Sequence, residues 1–141
     1  MIRILLVEDS EADAILVEES LNRAGLEHEL AIVTDGEHAM AAVREVGHGY
    51  DLVLLDLNLP RMDGREVLAE IKRDPALSPL PIIVLTTSHN PIDVDFAYRN
   101  HANAYLRKPN GLEALTSVGR AIRDFWAGVA TLPGPSPFPA A

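Results

Sequence analysis

The chain has 141 residues, the size of one domain. Its 12 Lys and Arg residues against 21 Asp and Glu residues give a formal net charge of −9, which excludes a nucleic-acid or anionic-membrane surface because those partners need clustered basic side chains. The absence of cysteine excludes disulfides, cysteine-ligated zinc and thiol catalysis. No apolar segment approaches the roughly 20 residues of a membrane span, and the first residues lack the pattern of a secretory signal. We therefore expect a cytoplasmic domain.

Five short apolar runs of strand length recur along the chain, and each is followed by a segment with helical periodicity. Three of the runs, ILLV, LVLL and IIVL, are apolar at every position, as is typical of parallel strands that are covered on both faces. The predicted strands are residues 4–7, 30–33, 52–55, 82–85 and 104–106.

The segments between these runs carry apolar residues three or four positions apart, which is typical of amphipathic helices. The fourth segment, about residues 92–100, is the least amphipathic. The other stripes are Ala14, Val17, Leu21 and Ala24; Ala39, Val43 and Val46; Val67, Leu68 and Ile71; and Leu112, Leu115, Val118, Ile122, Phe125 and Val129.

These five strand–helix units predict an α/β fold. The expected architecture is a doubly wound, five-stranded parallel sheet of flavodoxin-like strand order 2-1-3-4-5 with five helices. Composition changes after Ala130, where TLPGPSPFPAA carries four prolines, which prevent regular helix or sheet. The predicted organisation is a domain at residues 1–129 and a proline-rich C-terminal arm at residues 130–141.

Polar residues follow the predicted strands, at the edge where an open parallel sheet binds ligands. Glu8 and Asp9 follow the first strand and Asp56 follows the third, so three carboxylates should meet there. Their mutual repulsion demands a counter-charge. With oxygen ligands only, Mg²⁺ is the natural cation, and the backbone carbonyl of Asn58 could complete the protein's share of ligands.

A carboxylate beside Mg²⁺ can act as a nucleophile toward phosphorus, because aspartyl phosphates are established covalent intermediates. A transferred phosphoryl group also needs donors on the side away from the metal. The ammonium of Lys108 and the hydroxyl of Thr86 meet that need, since each stands at the end of a neighbouring strand. We therefore expect Asp56 to be the phosphoacceptor.

Four pieces, ILLVEDSEADA, DLVLLDLNLPRMDGREVL, PIIVLTTS and AYLRKP, resemble the receiver domain of two-component response regulators over about residues 1–126. The resemblance implies that Asp56 accepts phosphate, that Glu8 and Asp9 bind Mg²⁺ and that Lys108 binds the phosphate. It also implies a switch hydroxyl at Thr86, a switch aromatic at Tyr105 and a cis bond between Lys108 and Pro109. Such a domain is a signalling phosphoacceptor that assists only its own phosphorylation and dephosphorylation, and is not an enzyme.

The segments LDLNLPRMDGREVLAEIKRDP, LTTSHN and FWAGVATLP are similar to the stand-alone receivers that serve bacterial phytochromes. This resemblance implies a sensor histidine kinase, of the phytochrome type, as the phosphodonor. In the family's switch, phosphate draws Thr86 inward and Tyr105 rotates into the vacated space. The face formed by helix 4, strand 5 and helix 5 would then meet a second copy of the protein, helped by Phe125, Trp126 and the arm.

Three other functions would use parts of this pattern. A phosphohydrolase of the haloacid-dehalogenase type shares the aspartyl phosphate, but it needs an acid two residues after the nucleophile, where this chain has Asn58. A flavin carrier needs a hydroxyl- and glycine-rich phosphate loop after the first strand, where Glu8 and Asp9 would repel a phosphate. A pseudo-receiver that binds partners without phosphorylation is disfavoured by the intact set of acids, hydroxyl and lysine.

Overall fold

The computed structural model describes residues 1–135 and 137–138 of the chain. Strands and helices alternate throughout, and a short π-helix, Phe125–Val129, follows the last α-helix. The strands are β1 (Ile2–Val7), β2 (His28–Val33), β3 (Leu52–Leu55), β4 (Ile82–Thr86) and β5 (Ala104–Arg107), and the helices are α1 (Glu11–Arg23), α2 (Gly36–Arg44), α3 (Gly64–Arg73), α4 (Pro91–Arg99) and α5 (Leu112–Asp124).

The strands form one five-stranded sheet in the order β2-β1-β3-β4-β5, and every neighbouring pair is parallel. This confirms the predicted fold class and strand order. Residues 52–55 of β3 and 82–86 of β4 are buried at every position, as the continuous apolar runs predict.

Helices cover both faces of the sheet, and the alternation of side chains along β1 divides the core into two layers. Ile4 and Leu6 pack in the layer that contains the apolar stripes of α1 and α5. Leu5 and Val7 pack in the layer that contains those of α2, α3 and α4. The sheet is therefore buried on both sides, and only its edges and strand ends are available for a ligand.

The C-terminal helical stripe differs from the prediction of one amphipathic helix that runs to Val129. The α-helix ends at Asp124, and in the π-helix that follows the N–H of Ala130 donates to the carbonyl of Phe125 at 2.7 Å. The wider turn changes the phase of the stripe. In this segment Phe125 is 54% exposed and Val129 81% exposed, whereas Trp126 packs against the core layer of α1 and α5.

The described part of the arm has no regular secondary structure. Leu132 packs against the core layer of α1 and α5, and Pro133 and Pro135 border a cavity together with Tyr50 and Leu80. The predicted arm includes residues 136 and 139–141, which lie outside the described residues. Among the described residues, none of the helices has the length and apolar character needed to cross a membrane.

Gly64, the first residue of α3, brings that helix against the chain segment that follows β3. A Cβ at this position would lie 2.7 Å from the Cα of Leu57 and would also overlap the carbonyl oxygen of Asp56. The start of α3 therefore requires glycine at this position, because any side chain would overlap the backbone after β3.

We expect Gly64→Ala to lower the free energy of unfolding by about 1–3 kcal/mol, because backbone atoms must move to admit the methyl group. Urea denaturation measures this change. Gly128→Ala is the matched control, since a Cβ there would meet the Arg123 carbonyl oxygen only at 3.4 Å. Equal loss of stability in both variants would contradict the expected clash.

Candidate functional site

The predicted site residues meet at the carboxyl edge of the sheet. The chain leaves β1 toward β2 on one side, while β3 lies on the other, so the edge between β1 and β3 is the topological switch point. Four of the five strands place a polar residue there, either at the strand's last position or shortly after it. These residues are Glu8 and Asp9 after β1, Asp56 after β3, Thr86 at the end of β4 and Lys108 after β5.

Three carboxylates lie together at this edge. Glu8, Asp9 and Asp56 each offer an oxygen within 4.8 Å of the other two. Glu8 is 2% exposed and Asp56 8% exposed, whereas Asp9 is open to solvent. Burial raises the pKa of Glu8 to about 7, and the negative charge of Asp56 adds to that rise.

This oxygen-only set fits a hard divalent cation. Mg²⁺ takes oxygen ligands and usually keeps several waters, which the exposed side of Asp9 would admit. The backbone carbonyl of Asn58 is the fourth ligand expected from the sequence. In the structure the N–H of Asn58 donates to Oδ1 of Asp56 at 3.2 Å, a contact that does not involve the carbonyl.

Lys108 supplies the positive charge within the cluster. Its Nζ lies 2.6 Å from Oε2 of Glu8, 3.2 Å from Oδ2 of Asp13 and 3.5 Å from Oδ2 of Asp56. Burial by itself lowers the pKa of Lys108, but the hydrogen bond to Glu8 and the surrounding carboxylates raise it above its ordinary value. Lys108 therefore stays charged at neutral pH and holds the acids together.

Asp13 is a site residue that the sequence analysis missed. The Ser10 hydroxyl caps α1 by accepting a hydrogen bond from the N–H of Asp13 at 3.2 Å. This cap places Asp13 in the first turn of α1, where its carboxylate reaches Lys108. An acid three residues after a serine cap is the available sequence signal, but the same pattern is common in ordinary helices.

Two donors hold Oδ1 of Asp56. The buried hydroxyl of Thr86 donates to it at 3.0 Å, in addition to the N–H of Asn58. The other oxygen, Oδ2, faces Lys108. The carboxylate of Asp56 is therefore fixed in orientation, with a hydroxyl on one side and an ammonium on the other.

Tyr105 lies beside the site and does not contact Asp56 through its hydroxyl. Its side chain is half-buried, and the phenol donates to the carbonyl of Ser88 at 2.7 Å. Thr86 bonds to Asp56 and Tyr105 bonds to Ser88, so each residue of the expected switch has a hydrogen-bond partner.

The expected cis bond between Lys108 and Pro109 is wrong, because no cis peptide bond occurs in the described part of the chain. An X–Pro bond favours trans by about 0.5–1 kcal/mol. The trans bond leaves Lys108 correctly placed, since its N–H donates to the Thr86 carbonyl at 2.6 Å and its side chain still reaches the acids.

Comparison with known proteins identifies the class. The response regulator receiver domain family matches residues 4–119. The chain is 50% identical over 135 residues to the response regulator Rcp1 of Synechocystis sp., an alignment that covers 92% of each protein. The chain therefore belongs to the response regulator receiver family, whose members are signalling proteins.

Solved structures point to a narrower group. The crystal structure of the Mn²⁺-bound form of Rcp1 matches with a TM-score of 0.85 and 48% identity over 95% of this chain and 100% of that one. The phosphorylated cyanobacterial phytochrome response regulator RcpA matches with a TM-score of 0.87 and 45% identity over 94% of this chain and 98% of that one. The predicted similarity to phytochrome-associated receivers is confirmed.

We expect Mg²⁺ to stabilise the wild-type chain, because a ligand that binds only the folded state raises its stability, by about 2.7 kcal/mol at one hundred times Kd. Asp9→Asn should lose most of this gain, whereas Glu11→Gln, which removes an exposed acid outside the cluster, should retain it. Thermal unfolding with and without Mg²⁺ measures both effects.

The gain should also shrink as the pH falls below about 7, where Glu8 takes up a proton and no longer offers a free carboxylate. A gain that is equal in Asp9→Asn and the wild type would contradict a metal site at this cluster.

Proposed function

We propose that the chain is a stand-alone response regulator that accepts a phosphoryl group on Asp56 from a sensor histidine kinase in a Mg²⁺-dependent reaction. The arrangement around Asp56 is the observation that carries this proposal. One carboxylate oxygen bonds to Thr86 and the other faces Lys108, while Glu8 and Asp9 each offer an oxygen within 4.8 Å of one on Asp56.

In the proposed reaction a carboxylate oxygen of Asp56 attacks phosphorus. The bond between phosphorus and the imidazole nitrogen of the donor histidine breaks as the new oxygen–phosphorus bond forms, and the nitrogen keeps the electron pair. Lys108 binds one oxygen of the transferred group, and the Thr86 hydroxyl turns from Asp56 to donate to another. Both donors already lie beside the carboxylate of Asp56, so the fold positions them before the reaction begins.

Glu8, Asp9, Asp56 and the backbone carbonyl of Asn58 would hold the Mg²⁺ ion. When bound, the cation neutralises negative charge that builds up on the phosphoryl oxygens. Lys108 would bind the phosphoryl oxygens from its place 2.6 Å from Glu8 and 3.5 Å from Asp56.

The signal would pass through Thr86 and Tyr105 to the surface formed by α4, β5 and α5. Apolar side chains on these elements and the following π-helix are open to solvent: Ile92 is 74% exposed and Phe125 54% exposed. We propose that a second copy of the chain binds this surface, with the arm at residues 130–141 extending the contact beyond the domain at residues 1–129.

Names of related proteins indicate the type of kinase. RcpA is named as a phytochrome response regulator, and Rcp1 is similar over almost its whole length, so we propose a bacterial phytochrome as the cognate sensor. The net charge of −9 disfavours nucleic acid and membrane as partners, and we assign the protein to the cytoplasm, where such kinases present their donor histidine.

Phosphorylation at Asp56 is tested with a small-molecule donor such as acetyl phosphate in the presence of Mg²⁺. We expect intact-protein mass spectrometry to detect one added phosphoryl group on the wild type and none on Asp56→Asn, because an amide is not a nucleophile toward phosphorus. Asp124→Asn, which changes an exposed acid in an ion pair with Arg123, should be phosphorylated normally. An adduct that persists in Asp56→Asn would refute the assignment.

Self-association is tested by sedimentation of Phe125→Ser. We expect the change to weaken dimerisation by about 2 kcal/mol, the usual cost of removing a central aromatic from an interface. Val46→Ser is the matched control, since Val46 is completely exposed and follows α2, away from the proposed surface. A wild type that remains monomeric at all micromolar concentrations, phosphorylated or not, would rule out the dimer.

A further inference from the structure

A buried carboxylate outside the acidic cluster connects the start of α3 with the loop between β4 and α4. Asp93 lies in the first turn of α4 and is 9% exposed. Its Oδ2 accepts a hydrogen bond from the Ser88 hydroxyl at 2.6 Å, and its Oδ1 accepts from Nε and Nη2 of Arg65 at 3.0 and 2.8 Å. Neither oxygen is left without a strong donor.

Arg65 anchors this contact to the chain segment that follows β3. Its Nη1 donates to both carboxylate oxygens of Asp63 at 3.2 Å, and Asp63 caps α3 by accepting from the N–H of Arg65 at 2.8 Å. The guanidinium is thus held between α3 and α4. Because α3 begins against the segment that carries Asp56, Arg65 links that segment to the start of α4.

Ser88 is the residue that Asp93 connects to Arg65. It lies two residues after Thr86, and its carbonyl is the acceptor for the Tyr105 phenol. The same residue therefore bonds to Asp93 through its hydroxyl and to Tyr105 through its backbone. We refer to Arg65, Asp93 and Ser88 as the Asp93 clamp.

Electrostatics favour this arrangement. The hydrogen bond from Ser88 and the charge of Arg65 hold the pKa of Asp93 below its ordinary value, and a negative charge in the first turn of a helix is stabilised by the helix dipole. Asp95 on the same helix forms only an exposed pair with Arg99, which holds no loop. Asp93 and Asp95 are the same residue type on the same helix but differ in their contacts, which makes Asp95 the matched control for Asp93.

We propose that Asp93 is a positioning residue that holds Ser88, so that Tyr105 has its acceptor and the end of β4 presents Thr86 to Asp56 before the phosphoryl group arrives. This inference rests on the proposed role of Asp56 as phosphoacceptor. Without the clamp, the loop between β4 and α4 would lose its anchor and the Tyr105 phenol would lose its positioned acceptor. The loop would then have to become ordered during each phosphorylation reaction.

The state of Tyr105 tests the clamp without donor or metal. The chain has three tyrosines, so 3-fluorotyrosine labelling gives a simple ¹⁹F NMR spectrum in which Tyr105→Phe assigns the relevant signal. We expect Asp93→Asn and Ser88→Ala to shift this signal toward the solvent-exposed position, whereas Asp95→Asn leaves it in place. An unchanged Tyr105 signal in both clamp variants would overturn the proposal.

Phosphorylation kinetics provide the second readout. With acetyl phosphate and Mg²⁺, we expect Asp93→Asn to slow the rate at saturating donor by about tenfold, the effect of one hydrogen bond to a charged group, with little change in the half-saturating donor concentration. A rate equal to that of Asp95→Asn would overturn the proposal.

Two outcomes separate the clamp from other effects. Should Asp93→Asn fail to fold, Ser88→Ala removes one hydroxyl from the same contact and keeps both charges, and it must then show the Tyr105 shift and the slower rate. Should the wild type take up no phosphoryl group, the proposed function fails, while the Tyr105 signal still decides whether Asp93 positions the loop.

Discussion

The repulsion among Glu8, Asp9 and Asp56 is the constraint on which the rest of the site depends. Three carboxylates within 4.8 Å are unfavourable unless positive charge lies among them. Lys108 meets this need from the end of β5 and Thr86 satisfies one oxygen of Asp56. The sheet order makes this possible, because it places four strand ends at one edge. The same excess of negative charge is what would favour a divalent cation at this edge.

The sequence was sufficient for the fold and for most of the site. Apolar runs and helical stripes have strong periodicities, so five strand–helix units could be recognised, and the strand order was predicted from their succession. The acids, Thr86 and Lys108 were predictable because strand ends in a parallel sheet share an edge. The contacts of Asp13, Arg65 and Asp93 were not predictable. They depend on the direction in which each side chain points toward another element, and the sequence pattern does not show that direction. The trans bond before Pro109 also escaped prediction, because it is a local property that the resemblance assigned incorrectly.

Asn58 separates this protein from an enzyme that uses the same covalent chemistry. A phosphohydrolase of the haloacid-dehalogenase type needs a proton donor and acceptor two residues beyond its nucleophile, and Asn58 is an amide there. Its backbone N–H holds Asp56 at 3.2 Å, whereas its side chain is exposed. An amide at this position cannot act as the acid or base that such a phosphohydrolase requires, which agrees with the assignment of the chain to a family of signalling proteins.

The helical segment that ends in the π-helix Phe125–Val129 faces both the core and the solvent. Ile122 in the preceding turns closes the domain interior at 2% exposure, while Phe125 stands outside at 54%. Trp126, the next residue, packs against the core layer of α1 and α5. Neighbouring residues of one helical turn thus serve the surface and the interior, and the packing of Trp126 and Leu132 ties the segment that leads into the proline-rich arm to the body of the domain.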